Sequence, residues 1–110
     1  MAEKVTAGHD ALGEFAPKFA ELNDEVLFGQ VWSREAELSA RDRSLTTITA
    51  LTSTGAFEQL PFHMAKAKDN GLTADEVDEV AEIITQLAFY VGWPKAWSAF
   101  NIAKEVFGEK

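Results

Sequence analysis

The stretch LTADEVDEVAEIITQLAFYVGWP, residues 72–94, decides the fold. Thr73 stands where an N-cap hydroxyl belongs and Glu76 lies three residues on, the two halves of a capping box. Val77, Val80, Ile83, Ile84, Leu87 and Val91 then recur every three or four positions, the period of one helix face and not of a strand. Gly92 ends that helix. Trp93-Pro94 begins another, because the missing amide of a proline is no loss in a first turn. Ala96, Phe100, Ala103 and Phe107 form the apolar stripe of this last helix.

The same grammar extends upstream. A helix from near Phe57 to Asn70 stops at Gly71, with Pro61 drawing its start toward Leu60. Phe57, Leu60, Met64 and Ala67 share its inner face. Before it, Ser39 opens a helix by accepting from the amide of Asp42, and the helix runs to Thr54 and stops at Gly55. Leu45, Ile48, Leu51 and Thr52 are its inner stripe. Residues 10–32 read as short helices: Pro17 starts one piece, Asn23 caps the next and Gly29 weakens it. The expectation is a single all-α domain over residues 1–110, with about six helices and short connections.

Composition narrows the function. The net charge is −8 and the pI about 4.6. With no basic run of five residues, nucleic acid is not an expected partner, and an acidic membrane surface would repel the chain. An anionic substrate would need a local positive site against the overall field. Zero Cys removes disulfides, thiol nucleophiles, CxxC redox pairs and thiolate metal sites. The opening MAEKVTAGHDALG has no apolar signal region and no stretch reaches the length of a membrane span, so a soluble cytoplasmic protein is expected. Eight Phe and three Trp are a heavy aromatic load for so small a core. Phe62 and Phe89 fall off the stripes of their helices. An error in helix phase would explain that; a second buried face made by homo-oligomerisation explains the aromatic load as well, and is the reading adopted here.

Four places could carry chemistry. His63 projects at the border of its apolar stripe, where one ring nitrogen is sheltered and the other wet, which suits proton transfer near neutral pH. The alternative is a structural histidine bonded to a carbonyl or carboxylate. Ala67 stands at i+4, so no HExxH-type zinc pair exists and no metal is expected. Arg41 and Arg43 lie in the first turn of their helix, where cations oppose the helix dipole. Arg41 shares the face of Ser44, Leu45 and Ile48, so it requires an anion: either an acidic side chain of the chain itself or a bound carboxylate held by the arginine fork and the helix N-terminus. Tyr90 and Trp93 flank Gly92, either packed in the core or lining an apolar pocket wall with the phenol as donor. His9 lies in an N-terminus expected to be mobile and is assigned no role.

The segments LSARDRSLTTITALTSTGAFEQLPFHMAKAKDNGLTADEVDEV and ITQLAFYVGWPKAWSAFNIAKEVF resemble the carboxymuconolactone decarboxylase family, and LGEFAPKFAELNDEVLFGQVW fits its N-terminal part. The resemblance covers nearly the whole chain. It implies the all-α fold shared with alkyl hydroperoxide reductase D proteins and obligate homo-oligomers, commonly hexamers built as trimers of dimers. The activity it implies is cofactor-free loss of carbon dioxide from γ-carboxymuconolactone, a small anionic metabolite of aromatic catabolism. His63 matches the family histidine, and Arg41, Arg43 and Ser44 match its RxRSL segment. With them, Tyr90 and Trp93 complete the expected substrate site. The peroxidase relatives need a CxxC pair before that histidine; Ala56 and Gln59 stand there, which excludes their chemistry. One departure matters. Many members carry a second His before AFYxGWP, and this chain has Gln86, which cannot exchange protons near neutral pH. A non-catalytic binding module of the same fold is therefore the rival expectation.

Overall fold

The computed structural model describes residues 4–73 and 77–108. It is all-α, with no strand among the described residues, and its helical fold is the one the resemblance implies. The chain divides into two compact units, one up to Ser39 and one from Ala40.

The second unit is built from α3 (Ala40–Thr54), α4 (Leu60–Asp69), α5 (Val77–Val91) and α6 (Trp93–Phe107). These bounds follow the sequence closely, and the glycines explain why. Gly55 adopts φ +76° and Gly71 φ +107°, left-handed values that a side chain resists. Around Gly55, the amides of Ala56 and Gly55 bond back to the carbonyls of Leu51 and Thr52; around Gly71, those of Leu72 and Gly71 bond to Ala67 and Lys68. Both are Schellman motifs, which satisfy the last carbonyls of α3 and α4 and turn the chain. Pro61 and Pro94 each sit in a first turn, where an amide has no intrahelical partner. The expected capping box ahead of α5 lies outside the described residues at Glu76; Thr73 contributes its carbonyl to the amide of Val77 at 3.1 Å.

One apolar cluster holds this unit together: Ile48, Leu60, Met64, Ala67, Leu72, Val80, Ile84, Ala88, Ala96 and Ala99. Three expected stripes are borne out in it. The fourth needs a correction, because α6 buries Ala96 and Ala99 while Phe100 is turned partly outward. The buried row on α6 steps by three residues, so alanines make the close contact and Phe100 lies on the flank. Phe62 and Phe89 are 59% and 78% exposed, so their departure from the stripes was not an error of helix phase.

The first unit contains α1 (Ala7–Leu12), α2 (Pro17–Glu21) and a π-helix (Leu22–Val31) that continues α2 without a break. The amide of Trp32 bonds to the carbonyl of Leu27, five residues back, as a π-helix requires. Pro17 starts α2 as expected. Asn23 does not cap a new helix, because the chain is already helical on both sides of it; its side chain serves a neighbour instead. Among the described residues, no helix is long and apolar enough to cross a membrane.

Candidate active site

His63 stands in the first turn of α4, half-buried, with its ring edge-on to Phe62 at a centroid distance of 5.0 Å. Its Nδ1 is sealed from solvent and has no hydrogen-bond partner among the described residues. Burial pushes its pKa below the ordinary 6.5, and the positive charge of Lys66, three residues on, lowers it further. His63 is therefore a neutral imidazole at pH 7. Among the described residues, no carbonyl or carboxylate partner of the kind a structural histidine would have stands at this nitrogen.

Thr52, on the inner stripe of α3, is the companion case. Its side chain is fully buried and its hydroxyl has no partner among the described residues. The other four threonines of α3 behave differently. Thr46, Thr47, Thr49 and Thr54 each donate to the carbonyl four residues back, at 2.8–2.9 Å. A buried polar atom left unpaired costs about 1–3 kcal/mol.

The RxRSL residues are placed by contacts of their own. The Arg41 guanidinium donates to Asp42 at 2.9 Å and also to Glu79 on α5. The anion demanded by an arginine on the inner side of the helix is thus present within the chain. Arg43 is half-buried, and its carbonyl accepts from Thr47. Ser44 is fully buried and accepts from the Asn70 side chain at 3.0 Å, joining the start of α3 to the end of α4. Asn70 lies seven residues beyond His63, so the Ser44 contact and His63 are separated by about 10 Å along α4. Tyr90 and Trp93 are 78% and 58% exposed at the α5–α6 junction, which excludes the core-packing alternative for both. Trp93 meets Phe89 edge-on at 6.1 Å. An apolar groove of about 200 Å³ runs between α5 and α6, walled by Val77, Val80, Phe100, Ala103 and Phe107, with Lys104 at its side. None of the candidate residues lines it.

The first unit holds a polar cluster that the sequence reading passed over. The carboxylate of Asp24, on the π-helix, is buried and accepts four hydrogen bonds: from the amides of Gly8 (2.8 Å) and His9 (2.9 Å), from the His9 ring (2.6 Å) and from Asn23 (2.9 Å). Burial alone would raise its pKa. The donors of Asn23, His9 and Gly8 outweigh that and hold it well below the ordinary carboxylate range. Gly8 must be glycine here, since a Cβ would stand 2.6 Å from Asp24 Oδ1 and 3.0 Å from the Ala20 carbonyl. His9 is accordingly pinned, contrary to the expected mobile terminus. A single Asp beside Asn in a helical run reads from sequence as a cap, so only the fold reveals its partners.

The model of the family described as "Carboxymuconolactone decarboxylase family" matches residues 17–105. The chain is 34% identical over 108 residues to a 4-carboxymuconolactone decarboxylase of Acinetobacter baylyi, covering 97% of this chain and 78% of the relative. It is also 36% identical over 88 residues to an uncharacterized 15.0 kDa protein of Paracoccus denitrificans, covering 78% of this chain and 63% of the relative.

Proposed function

Because this chain belongs to the carboxymuconolactone decarboxylase family, we propose that it is a cofactor-free lyase acting on a small carboxylated lactone or a related anion, with His63 as its acid/base. The observation that carries the reading is the environment of His63: an imidazole on the matched segment, half-buried, neutral at pH 7 and, among the described residues, without a structural partner at Nδ1.

The chemistry runs as follows. The bond between the carboxylate carbon and the ring breaks, carbon dioxide leaves, and the electron pair stays on the ring as a dienolate. His63, protonated on Nε2 from solvent, returns a proton to carbon. The protein must hold the carboxylate and stabilise the developing oxyanion. Arg41 and Arg43 are the candidates for the positive charge; they stand at the opposite end of the α3–α4 hairpin from His63, so a neighbouring subunit would have to bring its copies to this site, and at Arg41 the substrate carboxylate would take the place of Asp42 or Glu79. Tyr90 and Trp93 would wall the substrate once a neighbouring subunit covers them. The direct test is carbon dioxide release from γ-carboxymuconolactone by the purified protein. Turnover supports the assignment; an inert protein overturns the substrate.

Gln86 favours one other reading. It is exposed on α5 where many family members have a second His. If decarboxylation needs both, the chain is an oligomeric binding module for a small anion. Gain of turnover in Gln86→His would identify a retuned enzyme. A metabolite screen read by thermal shift would find the ligand of a binding module, because a ligand of the native state raises apparent stability.

We further propose a homo-oligomer, a hexamer built as a trimer of dimers. The support is the exposure of the aromatic side chains Phe62, Phe89, Tyr90 and Trp93, large apolar groups of the kind that another subunit covers. Phe89→Glu should break the assembly by placing a charge in a desolvated contact. Sedimentation checks this: a parent protein that is monomeric at micromolar concentration contradicts the interface and the shared pocket together.

A further inference from the structure

His63 and Lys66 are neighbours one turn apart on α4, at i and i+3, a spacing that sets Cβ atoms about 5–6 Å from each other. Both are half-buried. Among the described lysines Lys66 alone is so placed; Lys4, Lys18, Lys68, Lys95 and Lys104 are exposed. In a chain of net charge −8 a cation readily finds a carboxylate. Lys18 is paired with Glu21, Arg34 with Glu37, and Arg41 with Asp42 and Glu79. Lys66 has no carboxylate within ion-pair distance among the described residues, although Asp69 lies one turn beyond it. A partly desolvated ammonium without a counter-charge is unfavourable. Here it stands beside an imidazole whose sealed nitrogen is also unpaired.

We propose that Lys66 is the anion-binding residue of the His63 site, holding a carboxylate of a small organic anion against the imidazole; this rests on the acid/base role proposed for His63. It supplies positive charge on the same subunit, which Arg41 and Arg43 at the far end of the hairpin do not. An ammonium suits the task. It is a compact charge with three donors on a flexible stem, so it can follow negative charge as this moves from carboxylate to dienolate oxygen. The placement also couples binding to protonation. Without an anion, burial and the Lys66 charge hold His63 neutral. A carboxylate seated on Lys66 cancels that charge and sets a negative one beside the ring, and both changes favour the imidazolium. His63 therefore takes up a proton as the anion binds. Nδ1 is sealed, so the proton arrives from solvent on Nε2, and the neutral ring carries its hydrogen on Nδ1. Loss of carbon dioxide from a carboxylate consumes one proton. The bond to the carboxylate carbon breaks, the electron pair stays on the ring, and Nε2 gives that proton to carbon, which returns His63 to its neutral form.

The other charged groups around α4 are placed differently. α4 packs against α3 and α6. On α3, Arg41, Asp42 and Arg43 lie at the opposite end of the hairpin. On α6, Lys95 stands near the turn, its Cε approaching Gly55, while Lys104 and Glu105 lie in the last turns. Glu58 is in the turn itself, and Lys68 and Asp69 are exposed at the end of α4. The test follows the His63 ring by NMR through pH titrations of the full-length protein, with and without fumarate, an unreactive small dicarboxylate. Sodium chloride holds the ionic strength constant, which separates a seated carboxylate from general screening. In the parent, fumarate should move the His63 midpoint to higher pH, while the signals of His9, the other histidine, do not respond. Lys66→Gln should raise the midpoint of the fumarate-free protein and abolish the response; Lys66→Arg should keep it. Lys95→Gln, which removes the other cation at this end, should leave the response intact. A parent that ignores fumarate, or a response that survives Lys66→Gln, overturns the proposal. None of these readings uses turnover. An inert parent with a Lys66-dependent response ends the decarboxylase reading and keeps the anion site; an active parent without the response does the reverse.

Discussion

Asp24 and His63 are both ionisable side chains set into helical packing, and they are built in opposite ways. Asp24 receives four donors and has its charge fixed by them. His63 is sheltered by apolar packing, has its sealed nitrogen unpaired, and is neutral through burial. The first arrangement ties α1 to the π-helix in a unit that buries only Gly8, Ala20 and Asp24 among its described residues. The second sits beside a well-formed apolar cluster that does not depend on it for cohesion. A satisfied buried charge secures structure; a buried polar group left unsatisfied is a cost the fold carries, and at His63 the proposed chemistry would be the reason to carry it.

The largest expected effect breaks the first half of that contrast. Asp24→Ala leaves the amides of Gly8 and His9 without an acceptor, and their protection from hydrogen exchange should fall on the order of 100-fold or more. Gly8→Ala should do the same by steric means. Unchanged protection in both would show that the carboxylate is incidental. Acid separates the two regions next. His63 has a folded pKa below 6.5, so its contribution to stability is complete above that value and is lost as pH falls from 6.5 toward the folded pKa. Asp24 has a folded pKa below 3.8, so its contribution persists down to about that value and is lost only as pH falls further. Protection factors followed by residue should therefore decline around His63 well before those of Gly8 and His9. A single common transition would erase the distinction. The smallest effect concerns His63 itself. His63→Leu removes an unpaired nitrogen from an apolar setting and should change unfolding stability by no more than about 1 kcal/mol. A loss of several kcal/mol would mean that His63 is structural after all.

Legibility in the sequence followed the same divide. The bounds of α3 to α6 could be read because glycines at helix ends and prolines in first turns act locally, without reference to the rest of the chain. Phe62 and Phe89 were legible as outward-facing because helix period alone decides it. The N-terminal third was not, since a π-helix has no distinctive pattern of side chains, and Asp24 finds its donors fifteen and sixteen residues away. At the site, the border position of His63 and the polar Thr52 on an apolar stripe were both visible. The anion for Arg41 was not, because Glu79 lies 38 residues on and meets it only through the packing of α3 against α5. Phe100 was misplaced because rows of i+3 and i+4 are equally good helical stripes until a neighbour chooses between them.

The central claim is that His63 serves chemistry and not the fold. Turnover of γ-carboxymuconolactone by the parent and by His63→Ala, each first shown to be folded and assembled alike, tests it most directly. The account predicts a rate lower by roughly 10²–10⁴ in the variant. Equal rates from an active parent and its variant would contradict it.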